Sequence, residues 1–73
     1  MRRDQLQRVR KCIYNEEPVF VLRARDICSI TTLERYFDAA KKEGCPQEFL
    51  DDMLEVIREF KDFQSNNPTR LPN

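Results

Sequence analysis

Three cysteines are the residues of this chain that could most readily carry out chemistry. Cys12, Cys28 and Cys45 are widely spaced and form no Cys-x-x-Cys pair, which is the usual anchor of a thiolate metal site. The chain has no histidine, the commonest general base and the usual partner of a nucleophilic cysteine. Adjacent carboxylates such as Asp51 and Asp52 point about 100° apart on a helix, so they do not form a catalytic pair. We therefore expect no enzymatic activity, no cofactor and no metal.

Cys45 is the cysteine whose position suggests reactivity. Cys45 itself occupies the expected N-cap position of the last predicted helix, directly before Pro46. The positive end of a helix favours the thiolate form of a cysteine there. Cys45 is therefore a candidate reactive thiol, with an ordinary turn residue as the alternative. We expect Cys12 and Cys28 to act as small apolar side chains. An odd number of cysteines favours free thiols in the cytoplasm over a disulfide framework.

Basic residues are concentrated near the N-terminus. The formal net charge of the 73-residue chain is zero, but residues 1–25 carry +4 and residues 26–73 carry −4. Basic side chains at this density bind phosphate without sequence preference. The candidate phosphate contacts are Arg2, Arg3, Arg8, Arg10 and Lys11. Acidic residues follow the turn EGCPQE and make the next helix a poor reader of a DNA groove, so nucleic acid is the second choice of partner.

The spacing of apolar residues predicts a long helix from Gln47 to Gln64. One row of apolar side chains advances by steps of four and three, and a second row lies beside it. The first row is Phe49, Met53, Val56, Phe60 and Phe63, and the second is Leu50, Leu54 and Ile57. Pro46 suits the first helical position. Together the two rows cover roughly half of the helix surface.

A second helix is predicted immediately before the first. Leu33, Tyr36, Phe37 and Ala40 share one face of it, and Gly44 supplies its C-terminal stop. Thr31 is the preferred N-cap because Glu34 follows three residues later as a capping box, while Ser29 is an alternative cap. The join at residues 43–46 is too short for anything but a tight turn, which predicts an antiparallel αα-hairpin.

A third, basic helix is predicted over residues 3–14, because Leu6, Val9, Cys12 and Ile13 recur at helical spacing. The chain is thus expected to be mostly α-helical. Residues 1–64 would form a single small domain, and residues 65–73 a flexible or strapping tail. The N-terminus lacks the pattern of a signal peptide, and no apolar run approaches the roughly 18 residues of a membrane span.

One run, Pro18-Val19-Phe20-Val21-Leu22, reads as a strand in this helical chain. Three interpretations remain open. It could be an extended connector whose alternate side chains fill the hairpin, it could pair with its own copy as a two-stranded ribbon across a dimer, or it could accept a strand from a different partner. Its backbone needs a partner in any buried arrangement.

Surplus apolar surface favours protein interaction as the function. The second predicted helix has only a narrow stripe of apolar side chains, which cannot cover the wide apolar face of the helix predicted from Gln47 to Gln64. Small chains with such uncovered apolar surface tend to associate. The candidate interaction surface consists of Phe20, Leu22, Phe49, Met53, Phe60 and Phe63. The expected partner is a protein, most simply a second copy in a homodimer.

The stretch EPVFVLRARD, followed by a helix with Tyr36 and Ala39-Ala40 and then Gly44, resembles a group of small uncharacterised proteins from phages, prophages and gut bacteria. Their pattern is an EPVFVLRAxD-type segment before two helices. The resemblance covers roughly residues 17–63. It implies an accessory protein of a bacterium or a mobile element, and it assigns no activity and no functional residues.

Overall fold

The computed structural model describes residues 3–72 and, in the first helix, the side chains from Gln5 onward. Within this range the chain forms three helices and no β-strand: α1 (Arg3–Tyr14), α2 (Ser29–Lys42) and α3 (Gln47–Asn66). The prediction of a mostly helical chain is confirmed. The packing of α2 on α3 supports the predicted hairpin.

The core lies between α2 and α3. Ala40 of α2 is buried there, and α3 contributes Leu50, Met53, Ile57 and Phe60. Both predicted apolar rows of α3 therefore supply core residues. On the outside, the Lys61 ammonium lies 3.3 Å from the Glu34 carboxylate across the two helices. Both of these side chains are about half exposed, so the ion pair adds little stability.

The turn between α2 and α3 is a Schellman motif centred on Gly44. The φ angle of Gly44 is +81°, a left-handed conformation that glycine adopts without a steric penalty. Its N–H donates to the Lys41 carbonyl at 3.2 Å, and the Cys45 N–H donates to the Ala40 carbonyl at 3.0 Å. These two bonds satisfy carbonyls that would otherwise be unpaired at the helix end.

The predicted N-caps of α2 are wrong. The helix begins at Ser29 with Cys28 as its N-cap, whereas Thr31 lies within the first turn. The Asp26 carboxylate accepts a hydrogen bond from the Cys28 N–H at 2.8 Å, and the Asp26 carbonyl accepts one from the Ser29 N–H at 3.0 Å. The chain thus enters α2 through a turn organised by Asp26. The Ser29 hydroxyl is occupied by the side chain of Gln64 instead of capping the helix.

Helix α1 stands apart from the hairpin. Among the described residues, no Cα atom of α1 lies within 8 Å of a Cα atom in α2 or α3. The radius of gyration is 13.3 Å, whereas a compact chain of this length is expected to have one of about 11 Å. The backbone of α1 is therefore not packed closely against either helix of the hairpin, and residues 15–28 join α1 to α2.

The C-terminal tail pairs with the entrance to α2. Arg70 and Asp26 form an isolated parallel β-bridge. The Ile27 N–H donates to the Arg70 carbonyl at 2.9 Å, and the Arg70 N–H donates to the Arg25 carbonyl at 2.8 Å. Leu71 is 78% exposed, so the tail is held by its backbone and not by this side chain.

Candidate protein-interaction surface

An apolar groove separates α1 from the hairpin. Its volume is about 420 Å³, and the residues between α1 and α2 form one of its walls. The lining residues are Gln5, Leu6, Val9, Phe20, Val21, Leu22, Leu33, Tyr36, Met53, Val56 and Phe60. Eight of these side chains are aliphatic or phenylalanine, so the groove offers almost no hydrogen-bonding groups. Its chemistry suits apolar side chains of another chain.

The apolar side chains at the rim of this groove are largely exposed to solvent. Phe20 is 83% exposed and Val21 66%, and Leu6 on the facing helix is 57% exposed. Ile13 and Tyr14, at the C-terminal end of α1, are also exposed. We call Leu6, Phe20 and Val21, together with the groove between them, the apolar rim. Contiguous exposed apolar surface of this kind marks interaction sites in proteins.

Residues 17–23 lie in neither a helix nor a strand. No residue from Pro18 to Leu22 forms a hydrogen bond with any other residue in the described part of the chain. The segment starts after the helix-terminating bond from the Glu17 N–H to the Cys12 carbonyl. It ends where the Asp26 N–H donates to the Arg23 carbonyl at 3.0 Å. Its polar backbone groups can therefore bind a partner.

The six residues predicted as an interaction surface divide into three groups by exposure. Phe20 is largely exposed, and Phe63 is 41% exposed. Leu22 and Phe49 are half-buried, with the Phe49 ring edge-to-face against Tyr36 at 6.3 Å between centroids. Met53 and Phe60 are buried in the core and contribute only to the floor of the groove. The groove brings together Phe20, Leu22, Met53 and Phe60, but neither Phe49 nor Phe63.

The predicted phosphate contacts lie on α1 as far as they are described. Arg2 and the side chain of Arg3 lie outside the described residues. Arg8, Arg10 and Lys11 are exposed along the helix. None of the three lines the groove.

Gln64 and Ser29, which do not line the groove, form a polar cluster that was not predicted. The Gln64 amide donates to the Ala24 carbonyl at 2.9 Å, to the Asp26 carbonyl at 3.3 Å and to the Ser29 hydroxyl at 3.2 Å. Ser29 is fully buried. We call Gln64, its three acceptors and the Arg70 backbone bridge the Gln64 junction. The spacing did contain a signal, because Gln64 follows Phe60 by four residues and so lies on the core-facing side of α3.

The three cysteines are free thiols, and Cys28, the N-cap of α2, makes no capping hydrogen bond through its side chain. The N-cap of α3 is Pro46, so the predicted N-cap position of Cys45 is wrong by one residue. The Schellman motif accounts for Cys45, because its N–H is needed there and an apolar side chain is common at that position. Two causes raise the pKa of the Cys12 thiol: the larger is partial burial, and the smaller is the nearby Glu17 carboxylate.

Residues 3–72 contain no group of three or more histidine, cysteine or acidic side chains positioned to hold a metal ion. None of the helices in this range combines the length and the apolar character that crossing a bilayer requires.

Comparison with protein-family models, curated proteins and solved structures gives no match for this chain. The class of protein that the fold and surface define is therefore a small helical-hairpin protein with an exposed apolar rim.

Proposed function

We propose that this chain is a non-enzymatic protein-interaction module that binds through the apolar rim and forms a homodimer. The observation that carries the proposal is the 83% exposure of Phe20 beside an apolar groove. Leaving an aromatic side chain in water forgoes roughly 1.5–3 kcal/mol of burial free energy in a chain whose core supplies little to spare. A partner that covers Phe20, Val21 and Leu6 recovers part of this free energy.

An extended conformation of residues 18–22 belongs to the same proposal. The absence of hydrogen bonds from this segment within the described chain leaves an edge that a second strand can pair with. That strand comes from a second copy, forming a two-stranded ribbon, or from another partner. The free thiols support a cytoplasmic location, where cysteines stay reduced. The role of an accessory protein of a bacterium or mobile element rests on the EPVFVLRARD resemblance alone.

Analytical ultracentrifugation tests the proposal on the full chain. We expect the wild-type protein to sediment as a dimer at micromolar concentration, and Phe20→Ser to shift it towards monomer without loss of helicity. Leu54→Ser is the matched control, because Leu54 is 50% exposed but lies on α3 away from the groove. A wild-type monomer throughout this range would contradict the homodimer. An equal effect of the two variants would contradict the assignment to the apolar rim.

Nucleic-acid binding is the second candidate, favoured by the exposed Arg10 and Lys11 of α1, neither of which lines the groove. A gel-shift titration with salt tests it, because phosphate contacts weaken as counterions are added. Binding that falls steeply with salt, and is lost when Arg2, Arg3, Arg8 and Arg10 become alanine, would support this function. An absence of binding at low salt would eliminate it.

A further inference from the structure

The charges on either side of the apolar run have opposite signs. Glu16 and Glu17 precede Pro18, and Arg23 and Arg25 follow Leu22. The run between them carries no charge. An acidic start and a basic end make the segment complementary to itself when two copies lie antiparallel. Parallel pairing would instead place like charges opposite each other, which destabilises a strand pair.

We propose that two copies of this chain pair antiparallel through residues 17–23, with the two-fold axis at Phe20. This inference rests on the proposed homodimer and names its interface. In this register, the residue numbers of facing residues add up to 40. Phe20 faces Phe20 of the second copy, Val19 faces Val21, and Glu17 faces Arg23. A two-fold interface of this kind repeats every contact twice, so each dimer contains two such Glu–Arg pairs.

The bounds of the accessible segment agree with this register. Glu16 has a φ angle of +56°, and this left-handed residue turns the chain out of α1 directly before Glu17. At the other end, the Arg23 carbonyl accepts the bond that opens the turn into α2. The backbone that is free to pair therefore runs from Pro18 to Leu22, with Phe20 at its centre. Glu17 and Arg23 flank this segment and contribute their side chains.

The side chains of the segment are accessible to a second copy. Val19, Phe20 and Val21 are 49%, 83% and 66% exposed. Aromatic and β-branched residues facing each other across a strand pair are among the most favourable combinations. Pairing at Phe20 also brings the apolar rims of the two copies together, since Phe20 and Val21 line both the ribbon and the groove.

A cysteine cross-link tests the position of the two-fold axis. Facing Cα atoms in an antiparallel pair lie about 4.5–5.5 Å apart, within the range that a disulfide spans. In a background with Cys12, Cys28 and Cys45 changed to serine, we expect Phe20→Cys to form a covalent dimer in a glutathione redox buffer. The protein concentration is raised to populate the dimer, because this substitution also removes the Phe20 ring. Tyr14→Cys is the matched control, because Tyr14 is 87% exposed but lies on α1. Equal cross-linking of the two variants would overturn the register.

Charge reversal tests the antiparallel direction independently of the cross-link. Glu17→Arg and Arg23→Glu should each weaken the dimer roughly tenfold, because each replaces two attractive pairs with two repulsive ones. An equimolar mixture of the two variants should recover the dimer, since all facing charges are then opposite. Glu16→Arg changes the net charge equally but faces Ala24, so it should have a smaller effect.

The outcomes separate this inference from the proposed function. A wild-type monomer in sedimentation would overturn both. A wild-type dimer that does not cross-link at Phe20→Cys, and whose charge variants do not recover on mixing, would overturn only the antiparallel pairing and would leave self-association intact. Circular dichroism of each variant establishes that α1, α2 and α3 are still formed.

Discussion

The Gln64 junction and the apolar rim differ in how firmly the single chain holds them. At the junction, one amide side chain contacts three acceptors, and the tail adds two backbone hydrogen bonds. At the rim, residues 18–22 make no hydrogen bond within the described chain, and no described Cα atom of α1 lies within 8 Å of one in α2 or α3. The junction specifies one geometry, whereas the rim leaves surface for a partner.

The difference shows where a small chain places its limited stabilising contacts. A core of this size supplies only about 3–5 kcal/mol of net stability. Polar contacts with fixed geometry at Gln64 set the position of the entrance to α2 relative to α3. The exposed side chain of Phe20 contributes less to the folding stability of the single chain than the Gln64 junction does. Substitutions in the hairpin should therefore change folding stability, and substitutions at the rim should change association.

The largest contrast is expected from the same substitution at two leucines. Leu50→Ala removes a side chain that is 7% exposed in the core, and should lower the free energy of unfolding by about 2–5 kcal/mol. Leu6→Ala removes one that is 57% exposed at the rim, and should change it by less than about 0.5 kcal/mol. Urea denaturation, monitored by circular dichroism at low protein concentration, measures both. Similar losses for the two variants would show that α1 belongs to the core.

A smaller contrast is expected between two glutamines of α3. Gln64→Ala removes the donor from the Ala24 carbonyl and from the buried Ser29 hydroxyl, and one of the two donors from the Asp26 carbonyl, which should cost about 1–3 kcal/mol. Gln47→Ala removes only an exposed hydrogen bond to Asp51 on the same helix and should be nearly neutral. Thermal unfolding of both variants gives the comparison. A neutral Gln64→Ala would mean that the Arg70 bridge alone holds the junction.

The helix ends provide a third, smaller comparison, because α1 and α2 terminate in the same motif with different residues. Gly44 ends α2 with a φ angle of +81°, and Glu16 ends α1 with a φ angle of +56°. A left-handed conformation costs a residue with a Cβ atom about 1–2 kcal/mol. Gly44→Ala should therefore destabilise the hairpin by about 1 kcal/mol, since its new Cβ atom meets no other atom within 4 Å.

At the corresponding position of α1, Glu16→Gly should relieve this strain and stabilise the end of the helix by up to about 1 kcal/mol. Because α1 is poorly packed, the gain should appear as slower hydrogen exchange of its amides and not as a higher unfolding midpoint of the hairpin. Faster exchange in α1 after Glu16→Gly would show that the glutamate side chain stabilises the end of α1 despite its backbone strain.

Sequence periodicity was sufficient to predict the helices but not the details at their ends. The spacing of apolar residues placed α1 over residues 3–14 and the start of α3 at Gln47, as the structure does. The N-cap of α2 was predicted wrongly because Asp26 and Gln64 organise that turn, and Gln64 is 35 residues away from Ser29. The capping signature at Thr31 is local, whereas the contact between Gln64 and Ser29 depends on the tertiary fold and cannot be read from the local sequence.

The candidate surface was only partly predictable for a related reason. A helical pattern identifies the apolar face of α3, but it does not say how much of that face α2 covers. Met53 and Phe60 were grouped with Phe20 by residue type, yet the hairpin buries the first two and leaves Phe20 in water. The exposure of Phe20 depends on how far α1 stands from α2, and side-chain packing decides that distance.

The smallest effect is expected at Cys12, where α1 meets the start of the apolar segment. Partial burial and the Glu17 carboxylate raise the pKa of this thiol, so less of it is thiolate at neutral pH. Cys12 should react with iodoacetamide more slowly than the exposed Cys28 of the same molecule. Glu17→Gln should accelerate Cys12 a few-fold and leave Cys28 unchanged, as measured by mass spectrometry of the alkylated protein.

The same shift predicts a direction for the pH dependence of stability. Because the folded chain holds the Cys12 proton more tightly than the unfolded chain, the contribution of this thiol is fully present at neutral pH. This contribution is lost as the pH rises from the pKa of the thiol in the unfolded chain to its higher pKa in the folded chain. A Cys12→Ala variant should therefore show less alkaline loss of stability than the wild type. An identical alkaline loss of stability in both proteins would show that the Cys12 thiol is as solvated in the folded chain as in the unfolded chain. The C-terminal end of α1 would then not bury this side chain.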